Sequence, residues 1–262
     1  MMSSTSPLLL EVQGLSKSFR GVRALDDYAL QLSPFTIHGV IGPNGAGKTT
    51  LFNLLTGFLK STSGTIHLLG IDITQLPTAQ IAQLGIARTF QNIRLFGHLP
   101  VIENVKVALQ SQLSSSLIST LLSSSTFLEG ERQLERQAEE YLELVGLMAH
   151  RNQLAHNLPY GDQRKLEIAR AIAINPKILL LDEPTAGMNR SEAGEVLRLI
   201  RHLRDELKIT IILVAHDIPM VMNLCERIQV LNYGKLIAEG DPGTVRNNPE
   251  VIAAYLGQAK YA

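Results

Sequence analysis

The chain has 262 residues, 45% of them hydrophobic and 18% charged, with 24 basic and 24 acidic side chains and one cysteine. A sizeable core can be buried at this length, while the even charge balance excludes holding nucleic acid or an anionic membrane through net charge. Cys225 alone cannot form an intrachain disulfide, and Met1-Met2-Ser3-Ser4 lacks the basic and apolar regions of a secretion signal, so a cytoplasmic setting is expected.

The apolar run Ile37–Ile41 reads as a buried strand of a largely parallel sheet. Gly42-Pro43-Asn44-Gly45-Ala46-Gly47-Lys48-Thr49-Thr50 follows, and then Leu51, Leu54, Leu55 and Phe58 recur at helical spacing. Strand, glycine loop and a helix ending near 57–60 make the phosphate-binding P-loop pattern. The glycines let the backbone turn sharply and bring successive N–H groups and the helix N-terminus to the phosphates. Lys48 adds a full charge near the β and γ phosphates, the Thr49 hydroxyl suits Mg²⁺, and Thr50 is placed to donate to a phosphate. A nucleoside triphosphate with Mg²⁺ is therefore expected.

No charge occurs between Lys106 and Glu129, yet only ten of those 22 residues are apolar and eight are serines. A membrane-spanning helix needs roughly 20 predominantly apolar residues, so none is expected there. The Ser-rich segment 111–125 reads as a loop or a pair of weak helices. A helix over 131–145 is marked by Leu134, Ala138, Tyr141, Leu142 and Val145. Residues 95–160 lack strand signals and interrupt the α/β alternation, which predicts a helical insertion.

The next strand, 178–181, ends in Asp182-Glu183-Pro184. Two carboxylates thus emerge at a strand end, Asp182 suited to hold Mg²⁺ through water and Glu183 to accept a proton from an attacking water. A helix over 190–207 follows, with Asn189 and Glu192 resembling a capping box. Further strands are expected at Thr210–Val214 and 228–231.

Arg88-Thr89-Phe90-Gln91, Leu158-Pro159-Tyr160-Gly161-Asp162-Gln163, Ala186-Gly187-Met188-Asn189 and Val214-Ala215-His216-Asp217 stand in the order found in ABC ATPases. The chain resembles an ABC nucleotide-binding domain throughout, and within that group the Liv-type ATPases of branched-chain and neutral amino-acid importers. The tail, from Arg246-Asn247-Asn248-Pro249 to Ala254-Tyr255-Leu256-Gly257, matches as well.

The resemblance implies an α/β fold over 7–245: a RecA-like P-loop core, an N-terminal antiparallel β subdomain and a helical subdomain, the insertion at about 95–160, with 246–262 as a C-terminal tail. It implies ATP with Mg²⁺ and a head-to-tail dimer with a second ABC subunit, identical or related. Each ATP then lies between one P-loop and the other subunit's signature, here Pro159, Tyr160, Gly161, Asp162 and Gln163. Gln91 would reach Mg²⁺ and the attacking water, His216 the γ phosphate, and Phe19 would stack on adenine. Asn189 would be an interface residue that also caps its helix.

The implied partners are integral-membrane permease subunits and, indirectly, a periplasmic solute-binding protein, with the chain peripheral on the inner face of the cell membrane and no nucleic acid. Urea or amide import and lipopolysaccharide export are alternative systems. A soluble ABC ATPase fits less well, since the chain has neither a tandem ATPase domain nor a long coiled coil.

Pro159 stands where most ABC proteins carry a serine, and proline has neither hydroxyl nor N–H. Asp162 adds a negative charge near the place of a phosphate unless it points away. This signature is expected to support a slower site on its partner than a Ser-bearing one. Pro159→Ser should raise turnover of the assembled complex, and an unchanged ATPase rate would remove that expectation.

Overall fold

The computed structural model describes residues 8–110 and 124–256, which divide into two compact units. Of the described residues, one unit holds 8–86, Lys177–Glu183 and 201–256; the other holds 87–110, 124–176 and Pro184–Ile200.

The strands, in chain order, are β1 (Leu10–Phe19), β2 (Val22–Leu32), β3 (Ile37–Ile41), β4 (Ser63–Leu68), β5 (Ile71–Asp72), β6 (Ile86–Arg88), β7 (Ile178–Asp182), β8 (Thr210–Val214), β9 (Arg227–Asn232) and β10 (Lys235–Gly240). They form an antiparallel sheet ordered β2-β1-β4-β5 and a mixed sheet ordered β10-β9-β3-β8-β7-β6. In the first sheet β2 alternates from Tyr28 on, burying Tyr28, Leu30 and Leu32 as a strand with one covered face must. A register shift before Tyr28 leaves Leu25 buried as well. In the second, β3, β7 and β8 are buried at every position and pair in parallel, which explains their unbroken apolar runs. The expected α/β architecture with an antiparallel N-terminal sheet is thus present.

The helices of the first unit begin with α1 (Lys48–Leu55) and α2 (Thr78–Leu84). The first ends short of the expected 57–60, where the Thr56 hydroxyl donates to Phe52 O at 2.7 Å and Phe58 is left exposed. Phe52, Leu51, Leu54 and Leu55 bury the inner face of α1 in one core with Val40, Leu180, Ile212 and Leu231 of the parallel strands.

The second unit contains α3 (Val101–Gln110), α4 (Ser124–Leu144), α5 (Tyr160–Ile172) and most of α6 (Arg190–Asp205). After β6 the only extended pairing of this unit among the described residues is the isolated bridge Pro100–Leu154. Val101, Val105 and Leu109 of α3, Leu134, Ala138 and Leu142 of α4, and Leu166 of α5 are buried. Asn104 is buried as well: its amide nitrogen donates to Phe96 O and Pro100 O, both at 3.1 Å, and its oxygen accepts from Phe96 N–H at 2.9 Å. The Ser-rich segment lies outside the described residues as far as 123, and helix is present from Ser124. No helix among the described residues is long and apolar enough to cross a membrane.

The chain returns to the first unit within α6 and adds α7 (Ile218–Leu224), α8 (Pro242–Arg246) and α9 (Pro249–Leu256). Cys225, just after α7, is buried beneath β3, where a Cβ on Gly39 would lie 3.0 Å from its sulfur. Burial pushes its thiol up to about 12.

Phe52 is fully buried between α1 and the strands, so Phe52→Ala should cost about 3–5 kcal/mol. Equilibrium unfolding in urea measures this, and a loss well under that range would mean the α1 core collapses to fill the space.

Candidate nucleotide site

The P-loop leaves β3 at Gly42, where φ is +153° and a Cβ would sit 2.1 Å from Leu231 O, so a side chain has no room. It closes at Gly47, which caps α1 in a left-handed conformation with φ +108°; a Cβ there would sit 2.6 Å from Ala24 O. No side chain caps this helix, so the first N–H groups of α1 are presented to an anion. Asn44, Gly45 and Thr49 are exposed, Thr50 is half-buried, and Ala46 is buried.

Lys48 is only 6% exposed. Its ammonium donates to Gly42 O at 2.5 Å and Pro43 O at 2.9 Å. Burial lowers its pKa, while Glu183 and Asp182 oppose that shift, which places both carboxylates within its field.

Those carboxylates come from the end of β7. Asp182 is buried and registers with Val214 of β8, and Glu183 N–H donates to Val214 O at 2.8 Å. Glu183 has φ +49°, a left-handed conformation costing of order ~1–3 kcal/mol in a residue with a side chain and characteristic of functional positions. His216, two residues beyond β8, brings Nε2 to 2.7 Å from Glu183 Oε1. The resemblance implies that His216 reaches the γ phosphate; its ring also lies within hydrogen-bond distance of Glu183.

Lys48, Asp182, Glu183 and His216 are therefore gathered at the carboxyl ends of β3, β7 and β8, the edge where open parallel sheets bind ligands. Phe19 ends β1, 43% exposed, with Lys17 Nζ 5.2 Å from its ring centroid.

The thiol-free, oxygen-rich donor set fits magnesium better than a softer metal. Thr49, Gln91 and Asp182 are too few for a cage, and among the described residues no group of three or more His, Cys, Asp or Glu side chains is placed to hold a metal ion.

The remaining expected site residues lie in the second unit. Pro159 precedes α5 with φ −54° and ψ 154°, giving that helix no side-chain cap. Tyr160 is exposed and its ring lies beside Gly187, while a Cβ on Gly161 would meet the Glu192 side chain at 3.3 Å. Asp162 pairs with Lys165 at 2.9 Å, so its charge is partly neutralised within the helix. Gln163 donates to Leu158 O at 2.9 Å. The Asn189 oxygen accepts from Ser191 N–H at 2.9 Å and Glu192 N–H at 3.0 Å, and the Glu192 carboxylate accepts from Asn189 N–H at 3.0 Å, completing the capping box.

Gln91 is exposed at its side chain but held by its main chain. Arg164 of α5, fully buried, donates to Phe90 O at 2.6 Å, Gln91 O at 2.8 Å and Glu167 at 2.7 Å. Glu167 in turn accepts from Phe90 N–H at 3.2 Å. Burial raises the Glu167 pKa, and Arg164 works against that. The Phe90 ring has the guanidinium groups of Arg88 and Arg94 at 5.1 and 4.2 Å from its centroid. Sequence reasoning did not find this clamp, because two opposite charges three residues apart on a helix read as a solvated pair until their burial is seen.

The model of the ABC transporter family matches residues 25–186, and that of the branched-chain amino acid ATP-binding cassette transporter matches residues 235–261. The chain is 49% identical over 251 residues to the high-affinity branched-chain amino acid transport ATP-binding protein LivG of Escherichia coli K12, covering 96% of this chain and 98% of that protein. Identity to the lipopolysaccharide export system ATP-binding protein LptB of Haemophilus influenzae is 32% over 250 residues, with 95% and 98% covered. Among solved structures, the ADP conformation of MJ1267, an ATP-binding cassette of an ABC transporter, superposes with a TM-score of 0.84 at 30% identity, covering 95% of this chain and 99% of that one. The dimeric post-hydrolysis state of the ATP-binding cassette MJ0796 bound to ADP and Pi gives 0.75 at 25% identity, with 89% and 98% covered.

Arg164→Leu should destabilise by about 3–5 kcal/mol, because it leaves the Glu167 charge buried and unpaired. Adding Glu167→Leu should recover most of that stability, yet ATP hydrolysis should stay down by about tenfold or more with Phe90 and Gln91 unheld. Urea melts and steady-state turnover of the single and double variants separate the two effects, and full activity in the double variant would reduce the clamp to a packing feature.

Proposed function

The chain belongs to the ABC transporter family of ATPases, and we propose that it hydrolyses ATP to drive an importer of branched-chain amino acids. The observation that carries the chemistry is Glu183 held by His216 at 2.7 Å beside the Lys48 loop. The observations that favour the solute class are the tail match over 235–261 and an identity to LivG well above that to LptB.

Residues 42–50 bind the triphosphate: the N–H groups at the start of α1 and the Lys48 ammonium take the β and γ phosphates, and Lys48 exchanges its own loop carbonyls for them. Phe19 stacks on the base. Mg²⁺ would be held by the Thr49 hydroxyl, by Gln91 and, through water, by Asp182, and would neutralise phosphate charge. Glu183 accepts a proton from water as the water oxygen bonds to the γ phosphorus. The bond from that phosphorus to the β–γ bridging oxygen breaks, the electrons pass to ADP, and Lys48 stabilises the charge that develops there. His216 occupies one Glu183 oxygen and thereby orients the other.

A second ABC subunit, identical or related, completes each site through its signature, and residues 159–163 serve the partner's ATP in return. Gln91 takes the role of reporting the γ phosphate to the helical insertion, and the insertion docks on the permease. Membrane association then comes through the permease, on the inner face of the membrane, with a periplasmic binding protein delivering the solute.

Glu183→Gln keeps the shape of the side chain and removes the base. It should bind ATP normally and hydrolyse it about 10²–10⁴ times more slowly. Equilibrium ATP binding together with single-turnover hydrolysis measures both, and near-normal hydrolysis would refute the assignment.

A further inference from the structure

We propose that Tyr233 is a second aromatic contact for the purine base of the bound nucleotide. β9 and β10 are joined at Asn232–Lys235 by a two-residue turn, Tyr233-Gly234, with φ +46° and +80°. Positive φ at both central residues defines the tight hairpin turn whose usual sequence is Asn-Gly or Asp-Gly. A bulky aromatic at the first of these is a conformational outlier that costs stability. Its side chain recovers nothing in this fold, because Tyr233 is 82% exposed. The reason for a tyrosine therefore lies in what approaches from outside.

The turn meets the nucleotide loop. Gly234 N–H donates to Ala46 O at 2.9 Å, and Gly234 O accepts from Asp26 N–H at 2.9 Å. A Cβ on Gly47 would lie 3.5 Å from the Gly234 Cα and 2.6 Å from Ala24 O. Three backbones thus touch beside Lys48: the P-loop, the β9–β10 turn and β2 just after the β1–β2 turn. The β1–β2 turn pairs Phe19 with Val22 and carries the proposed base-stacking ring. Tyr233 is one peptide, about 3.8 Å, from the residue in contact. Two hairpins flank the loop and each carries an exposed aromatic. Such rings stack on any base and add affinity without adding contacts to phosphate.

The inference rests on 42–50 being the ATP site. Tyr233→Asn installs a residue that the turn prefers, so folding is not the obstacle. The thermal midpoint should stay level or rise, ATP affinity should weaken by about fivefold or more, and affinity for inorganic tripolyphosphate should not change. Tyr233→Phe should keep the ATP affinity. Equal affinity of Tyr233→Asn and the unchanged protein for ATP overturns the proposal, as does an equal loss for ATP and tripolyphosphate, which would mark a displaced loop. Failure of the unchanged protein to bind either compound overturns the ATP reading itself and this inference with it.

Discussion

Lys48 carries an ammonium into a position only 6% exposed, and much of the surrounding structure answers that cost. Burial of a charge is tolerated where polar groups and opposite charges are supplied. Two carbonyls of its own loop accept its hydrogen bonds, and Asp182 and Glu183 stand close enough to favour the charged form. The loop can fold back in this way because Gly42 and Gly47 pass where neighbouring carbonyls would exclude a Cβ. The parallel sheet supplies the rest, because β3, β7 and β8 all end at the same edge.

The strand end that carries Glu183, the proposed base, stores strain in a stiff setting. Glu183 keeps a left-handed backbone because its N–H is fixed to Val214 O and its carboxylate to His216, while the two residues come from adjacent, fully buried strands. Reorienting this base requires breaking bonds on both sides. On the second unit, Arg164 and Glu167 fix the Phe90–Gln91 backbone from beneath and leave the Gln91 side chain free to respond to what it meets. Both devices hold the main chain beside a proposed site residue.

Much of this was readable from residue order. Strands buried on both faces announce themselves as unbroken apolar runs, so 37–41 and 210–214 were placed to the residue. The P-loop is equally legible, since its glycines, lysine and threonines serve local backbone geometry. Long-range polar pairing is another matter. Arg164 and Glu167 look like an ordinary solvated i,i+3 pair, and only the tertiary fold shows them buried against Phe90 and Gln91. The charge at Asp162 looked like an obstacle to a phosphate, and its pairing with Lys165 could have been anticipated from helical spacing alone. Tyr233 was overlooked because a turn is judged by its glycine, and its conformation becomes informative only once φ is known.

The burial of Cys225 has a practical consequence. Its thiol is shielded beneath β3 and shifted up to about 12, and the chain has no second cysteine. At neutral pH very little thiolate is present to attack an alkylating reagent or an oxidant. The natural sequence therefore already serves as a silent background for site-directed labelling. A cysteine introduced on the exposed face of the helical unit can carry a fluorophore or spin label alone, and distances across an assembling transporter can be followed without first stripping the native residue.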